Sequence, residues 1–299
     1  MKLKALVAAL AIIGAGAANA VISTPTGSGA GAASSMLFIM MNTSAAQSAM
    51  FDLGLDRLQF SKGSFGSVVA PQTETATLTW NFTTNSVSAS NNWGVDAKAA
   101  ISSLQSANNS WASTWAAYSN NVAGSTYGVI ASDRDGTTSV AQHLLTTVVL
   151  PNNTIGNSTN AQLLAASSPS QQAWVLANTP FGTHATSDNG ANVNGNVQSY
   201  QGNAVLGNFQ STWNGKFLTN FVATAAVDKT LGFYSMDGVA GASGNKVAVA
   251  NYGGSWSMDA AAGTLTYSAQ VVAVPEPSSI AMLLAGLGLM GVIARRRLA

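Results

Sequence analysis

The sequence contains no cysteine. Disulfide bonds are therefore excluded as a source of stability, and the folded core has to hold without covalent cross-links. The usual zinc sites are excluded too, because they draw on cysteine thiolates or on a His-Glu-x-x-His helix, and the sequence has neither. We therefore expect a protein whose stability depends on packing alone.

Residues suited to acid–base chemistry are also scarce. The two histidines are His143, in a segment that predicts a strand, and His184, in a predicted loop, and no Gly-x-Ser-x-Gly sequence accompanies them. Glu74 is the one glutamate between residues 21 and 274, so the glutamate pair of many glycosidases cannot form, and nothing indicates an aspartate pair instead. The sequence thus predicts no catalytic residue and no cofactor.

The first 20 residues have the pattern of an export signal. Lys2 and Lys4 form a basic start, residues 5–17 are apolar, and Ala18 and Ala20 flank Asn19 as the small-x-small site of signal peptidase. The exported chain is therefore expected to begin at Val21.

The last 26 residues, 274–299, form a second signal. Pro275, Glu276 and Pro277 precede an uncharged apolar run at residues 280–294, which three arginines follow at 295–297. Such a run predicts a transmembrane helix, and the arginines predict that its end stays on the cytoplasmic side. Everything before Pro275 is then expected to lie outside the inner membrane.

This tail resembles the PEP-CTERM sorting signal of Gram-negative bacteria, in which Pro-Glu-Pro, a short membrane helix and a basic cluster are recognised by a membrane-embedded exosortase. The resemblance rests on Pro275, Glu276, Pro277, Arg295, Arg296 and Arg297. It implies a transient membrane anchor, processing near Pro275, and delivery to the cell surface or the exopolysaccharide matrix. A plain tail anchor is the alternative, but it would not need the separate leader.

The body between the two ends is nearly neutral. Residues 21–274 hold seven basic and ten acidic side chains, a net charge of −3, and the +1 of the whole chain comes from its ends. Nucleic acid is excluded as a partner, because phosphate binding needs clustered lysine and arginine. Alanine, serine, threonine, asparagine and glycine dominate, so we expect an amide- and hydroxyl-rich surface, typical of proteins outside the cell.

Short alternating segments predict a mainly β fold. Residues 75–82 give the clearest strand, because apolar and polar side chains alternate along it, and residues around 87–89 continue as a return strand. Two apolar segments, 36–41 and 50–60, predict a hairpin. Further strands are predicted at 125–132, 137–150, 216–224, 246–252, 255–259 and 264–272, the last two as a hairpin.

Two helices interrupt this pattern. Apolar side chains recur every three or four residues over 97–118, with Asp96 in the first turn, which predicts one helix of six turns with Trp111 and Trp115 in the core. Ser168 and Pro169 mark the start of a shorter helix. Residues 182–215, rich in glycine and asparagine, predict a long loop.

These elements predict one antiparallel β-sandwich domain with two helical insertions over residues 36–273, after a flexible lead-in at 21–35. No charge break or proline-rich linker divides the body into two domains.

Three functions stay open for this body. The leading interpretation is a non-enzymatic structural protein of the cell surface or matrix. The alternative is a glycan-binding module, in which Trp93, Trp174 or Trp213 stacks on sugar rings. A hydrolase of matrix polysaccharide comes third.

One short sequence suggests a metal. Asp133 and Asp135 alternate ahead of Gly136, as ligands do in calcium loops. No later carboxylate closes the ligand shell, and Asp-Gly is a common turn, so no metal site is predicted and calcium is kept as a secondary interpretation.

Overall fold

The computed structural model describes residues 34–42, 44–45, 47–60, 65, 75–107, 110–134, 142–149, 155–163, 190–194 and 225–270. The predicted leader, the helix at Ser168, the strand at 216–224 and the tail lie outside these ranges. Among the described residues, none of the helices is long and apolar enough to cross a membrane.

The described chain is mainly β. Its eleven strands are β1 (Ser35–Asn42), β2 (Gln47–Asp56), β3 (Thr75–Asn81), β4 (Ser86–Ala89), β5 (Thr126–Arg134), β6 (Gln142–Val149), β7 (Gly190–Asn194), β8 (Ala225–Ala226), β9 (Leu231–Asp237), β10 (Ala248–Asp259) and β11 (Thr264–Gln270). Two α-helices, α1 (Val95–Ser106) and α2 (Ala112–Tyr118), lie between β4 and β5, and 3₁₀ turns occupy Ser119–Asn121 and Ile155–Asn157.

All these strands belong to one antiparallel sheet. Its order is β4-β3-β11-β10-β9-β6-β5-β1-β2-β7, and β8 pairs with β5 beside this path. The sheet is curved into a half-barrel. The predicted two-layer sandwich is therefore not confirmed, since the described strands belong to one sheet whose inner apolar side chains pack against one another across the curve.

Contacts across the inner face show the curvature. Strands β3 and β2 stand near opposite ends of the sheet order, yet Trp80 Nε1 donates a hydrogen bond to the carbonyl of Leu53 at 3.0 Å. The ring centroids of Phe51 and Phe82 are 4.6 Å apart. The inner face therefore holds a continuous aromatic core, which unites most of the buried tryptophans, tyrosines and phenylalanines.

The predicted N-terminal hairpin is confirmed. Strands β1 and β2 pair from Asn42 with Gln47 to Ser35 with Asp56, and the register shifts between Ser35 and Leu37. At this irregularity Gly54 has a φ of 71°, a conformation that glycine adopts without strain. Trp111 Nε1 donates to the carbonyl of Asp52 at 2.7 Å, so tryptophan side chains satisfy backbone groups that the irregular pairing leaves open.

The prediction of one continuous helix over residues 97–118 is wrong. Helix α1 ends at Ser106 and Ala107 is extended, so the chain restarts as α2. Asn85, in the turn between β3 and β4, has a φ of 54°, and its Oδ1 accepts the backbone N–H groups of Trp111 at 2.6 Å and Ala112 at 2.8 Å. A side chain distant in sequence thus caps the second helix.

The faces assigned to these helices are nevertheless confirmed. Asp96 lies in the first turn of α1, and Ala97, Ile101 and Leu104 are buried. Trp111 and Trp115 belong to the inner aromatic core, as predicted. The helices therefore cover the inner face, although they are separate elements.

The C-terminal half brings two corrections and one omission. Residues 248–259 form a single strand, because β10 stays paired with β9 across a bulge between Asn251 and Ser255. The predicted loop at 182–215 contains β7, which pairs with β2. Strand β9 was not predicted at all, since buried residues on both of its faces remove the alternation. The predicted strands at β3, β4, β5 and β6 and the β10–β11 hairpin are confirmed.

The outer face carries a second, smaller apolar cluster. It contains outward side chains of β1, β2, β5, β6 and β9, together with Ile155 and Leu163 from the segment 155–163. Asn160 fixes this segment: its Nδ2 donates to the carbonyls of Val239 at 2.8 Å and Ala242 at 3.1 Å, and its Oδ1 accepts from the N–H of Val239 at 3.0 Å. The segment 155–163 therefore covers part of the outer face.

Candidate functional site

The last described strand leads directly into the predicted sorting signal. β11 lies between β10 and β3 and pairs with β3 from Thr264 opposite Asn81 to Gln270 opposite Thr75. The chain thus leaves the body from an interior strand. An interior strand is hydrogen-bonded on both sides, so whatever follows Gln270 is attached to a firmly held part of the sheet.

His143, the histidine that the structure describes, contacts an aspartate. It lies on β6 directly opposite Asp237 on β9, and its Nδ1 is 2.7 Å from Asp237 Oδ1. The side chains are 27% and 40% exposed, so the pair is open to solvent. The strand assignment of His143 is confirmed, and the carboxylate fixes the orientation of the ring.

A catalytic triad would need a nucleophilic hydroxyl group hydrogen-bonded to Nε2, the second ring nitrogen of His143. In the ranges that the structure describes, no serine or threonine hydroxyl is hydrogen-bonded to its Nε2. The pair by itself orients an imidazole and supplies no nucleophile. His184 lies outside the described residues.

The suggested calcium ligands are only partly within the described chain. The backbone of Asp133 lies on β5 opposite His143, while Asp135 lies outside the described residues. Among the residues that are described, no cluster of three or more histidine or acidic side chains could hold a metal ion. Calcium at Asp133 and Asp135 remains a prediction.

The glycan-stacking prediction is wrong for Trp93. Its side chain is 2% exposed, and Nε1 donates to the carbonyl of Thr77 at 2.9 Å. Tyr267 stacks on it at a centroid distance of 6.2 Å, and Phe65 meets it edge-on at 5.3 Å. Sugar stacking needs an open ring face, and this ring has none. Trp174 and Trp213 lie outside the described residues.

Among the described carboxyl groups, that of Asp52, on the outer face, has a strongly raised pKa. Asp52 is 6% exposed and stands opposite Leu37 of the outer apolar cluster. Burial raises its pKa to about 6, against the opposing effect of hydrogen bonds from the Ser35 side chain and the Gly54 backbone. A carboxyl group buried in this way lowers the stability of the folded state once it is ionised.

Comparison with known proteins decides the nature of the tail. The family model described as the PEP-CTERM protein-sorting motif matches residues 273–297. The chain carries a PEP-CTERM sorting motif. No curated protein and no solved structure matches the chain.

The PEP-CTERM motif contains the residues singled out from the sequence. Pro275, Glu276, Pro277 and the arginines at 295–297 all lie inside the matched range. The motif indicates an exported protein that is sorted to the surface by an exosortase. The part played by each of these side chains stays a prediction, as does cleavage between Ala20 and Val21, and both ends lie outside the described residues.

Sequence reasoning missed Asp237, the partner of His143. The omission follows from the missed strand β9, since without it nothing places an acidic residue beside β6. A usable signal was present in Gly232, Phe233 and Tyr234, a short aromatic run after the turn at 227–230, which is typical of a buried strand.

Proposed function

We propose that this chain is an exosortase substrate delivered to the cell surface or the exopolysaccharide matrix, where its half-barrel serves as a non-enzymatic structural body. The observation that carries the proposal is the PEP-CTERM motif at 273–297, which begins directly after the interior strand β11 ends at Gln270. A body that is anchored, cleaved and transferred at its tail has to keep its last strand in place during processing.

The fold supports this order of events. Peeling β11 away would break hydrogen bonds to both β10 and β3 and would expose Leu265 and Tyr267, which are fully buried. Breaking two ladders together with the aromatic core is far costlier than fraying an edge strand. The body is therefore expected to stay folded while the tail is handled.

The composition supports a place outside the cell. The body has no cysteine that could be oxidised and few charges, and its net charge of −3 favours neither nucleic acid nor strongly anionic surfaces. Such a surface suits a hydrated polysaccharide environment, where hydroxyl and amide groups exchange hydrogen bonds with sugars and water.

Processing of the tail is tested by mass spectrometry of the surface fraction. We expect the mature form to lack residues 280–299. We expect Glu276→Ala, or alanine at Arg295, Arg296 and Arg297 together, to leave an uncleaved precursor in the inner membrane. Lysine at the same three positions is the matched control, because it keeps the positive charge that orients a membrane helix. Intact peptides from 280–294 in the released wild-type protein would reduce the tail to an ordinary anchor.

The structural role is tested with histidine variants. His143→Ala and His184→Ala should leave surface delivery and matrix retention unchanged, because a structural body does not depend on an imidazole. Loss of activity on matrix polysaccharide in either variant, with the fold intact, would favour the hydrolase instead.

A further inference from the structure

A polar groove crosses the outer face of the sheet beside the outer apolar cluster. It spans β9, β10, β11 and β3 and has a volume of about 420 Å³. Its walls are the side chains of Tyr234, Asn251, Ser255, Ser268 and Thr75. Pockets that take small ligands have volumes of about 300–1,000 Å³, so the groove is large enough for one.

Glycines at the bulge of β10 create this groove. Gly253 has a φ of 69°, and its N–H donates to Asn251 Oδ1 at 2.8 Å. A Cβ atom on Gly253 would meet nothing within 4 Å, so open space lies above it. A Cβ atom on Gly254 would collide with the ring of Tyr267 on the inner side. With Gly232 beside them on β9, these residues leave a floor of bare backbone.

The groove offers hydrogen-bonding groups that the other described residues do not use. Within the described residues, the side-chain hydroxyls of Tyr234, Ser255 and Ser268 form no hydrogen bond. Tyr234 packs against the outer apolar cluster, is only half-buried, and lines the groove. An aromatic ring beside free hydroxyl and amide groups offers both stacking and hydrogen bonds.

The lining also restricts the class of ligand. Among the described residues, no charged side chain lines the groove, so these residues offer no counter-charge to an anion or a cation. A purely apolar ligand would cover the free hydroxyls without bonding them, which is unfavourable. A neutral molecule with many hydroxyls and an apolar ring face fits both requirements.

We propose that this groove is a binding site for a neutral saccharide, with Tyr234 against the sugar ring and Asn251, Ser255 and Ser268 bonded to its hydroxyls. That the saccharide belongs to the matrix rests on the proposed function; the chemistry of the groove does not. The outward serine and threonine hydroxyls of β3, β10 and β11 form a hydroxyl row that continues beyond the groove. There Thr79 Oγ1 lies 3.0 Å from Thr266 Oγ1, so a polysaccharide chain has a polar surface to follow.

Two phenylalanine substitutions on one strand test the site. Ser255→Phe fills the groove, whereas Ser257→Phe places the same ring on the same outer face of β10 outside it. Purified full-length protein is tested against a neutral β-glucan, a galactomannan and a polyuronate by affinity electrophoresis, and thermal melting verifies the fold of each variant.

We expect at least one neutral polysaccharide to retard the wild-type protein in the gel. Ser255→Phe should raise the dissociation constant for that polysaccharide about tenfold or more, the loss of about one strong contact. Ser257→Phe should leave the dissociation constant unchanged. Tyr234→Phe keeps the ring and removes the hydroxyl, so it should weaken binding less. The proposal is overturned if no neutral polymer is bound, if both serine variants behave alike, or if the polyuronate is preferred.

Cell fractionation separates this inference from the proposed function. If wild-type protein is found in the matrix but does not bind neutral polysaccharide, the proposed function is retained and the saccharide site is rejected. If the protein binds neutral polysaccharide in vitro but stays in the inner membrane, the saccharide site is retained and the proposed function is rejected.

Discussion

The outer face of the sheet has two halves, which differ in burial and in polarity. The apolar half, on β1, β2, β5 and β6, is buried, and strand β1 has no exposed residue along its length. The hydroxyl half, on β3, β11 and β10, alternates buried inner residues with threonines and serines that remain partly exposed. The inner aromatic core runs behind both halves.

The difference shows that strand pairing and the inner core do not require a buried outer face along the whole sheet. Both halves pair regularly and share the same core, yet one is covered by further chain, including Ile155 and Leu163, while the other is left with hydroxyl groups. Burial of the outer face is thus a local requirement of the apolar half. In the described part of the chain, the serines and threonines of the hydroxyl half are partly exposed, and the groove lies at the border of this half.

The largest expected effect comes from placing a hydroxyl group in the apolar half. Ile39 is fully buried in the outer cluster. Ile39→Thr should lower the free energy of unfolding by about 4 kcal/mol, because it removes packing and buries a hydroxyl group without a designed partner. Urea unfolding measures the change. Ile39→Val, the matched apolar control, should cost about 1 kcal/mol. Equal costs would show that this half tolerates polar groups.

A pH titration sharpens the comparison through Asp52. Its folded-state pKa of about 6 lies above the ordinary aspartate value of 3.8, so the folded state binds more protons, and stability is lost as the pH rises from about 4 to above 6. Asp52→Asn keeps the acceptor for Gly54 and removes the charge. It should stabilise the protein at pH 7 by about 3 kcal/mol and flatten this part of the profile.

The control is Asp259, an exposed aspartate of the hydroxyl half. Asp259→Asn should leave the fall between pH 4 and pH 6 as it is in the wild type. A profile for Asp52→Asn that follows the wild type would mean that the carboxyl group of Asp52 is well solvated.

The cover of the apolar half depends on Asn160. This side chain is 2% exposed and makes its hydrogen bonds to the backbone of Val239 and Ala242. Asn160→Ala should cost about 2 kcal/mol, because alanine cannot replace the three hydrogen bonds that the buried amide of Asn160 makes. Hydrogen exchange should speed up at the amide of Val239. Asn245→Ala, which removes an exposed asparagine from the same loop, is the control and should cost under about 0.5 kcal/mol.

The two halves also explain what the sequence could predict. In the hydroxyl half, Ala76, Leu78 and Trp80 alternate with threonines, and β3 with its return strand was predicted correctly. In the interior of the sheet both faces of β9 are buried, so its residues show no period of two and the strand was missed. Periodicity reports one-sided burial, and it fails where burial is two-sided.

Long-range contacts account for the remaining errors. The break between α1 and α2 depends on Asn85 from another turn, and the burial of Trp93 depends on Phe65 and Tyr267. Local spacing contains neither fact. The sorting motif could be recognised from sequence, because its proline, glutamate and arginine residues are read as a contiguous segment. The groove could not, since it combines the distant strand β3 with the C-terminal strands and depends on the bulge in β10.

The smallest expected effect concerns the hydroxyl row itself. Thr79 and Thr266 are cross-strand neighbours whose Oγ1 atoms are 3.0 Å apart, and both side chains are only half-buried. Water can replace a hydrogen bond at such a position, and valine suits a strand as well as threonine does. Thr79→Val and Thr266→Val should therefore each change the free energy of unfolding by less than about 0.5 kcal/mol, with a coupling in the double mutant of about the same size. A coupling above about 1.5 kcal/mol would mean that the row holds the strands together. A small coupling means that these hydroxyls contribute little to the fold and stay available to a ligand.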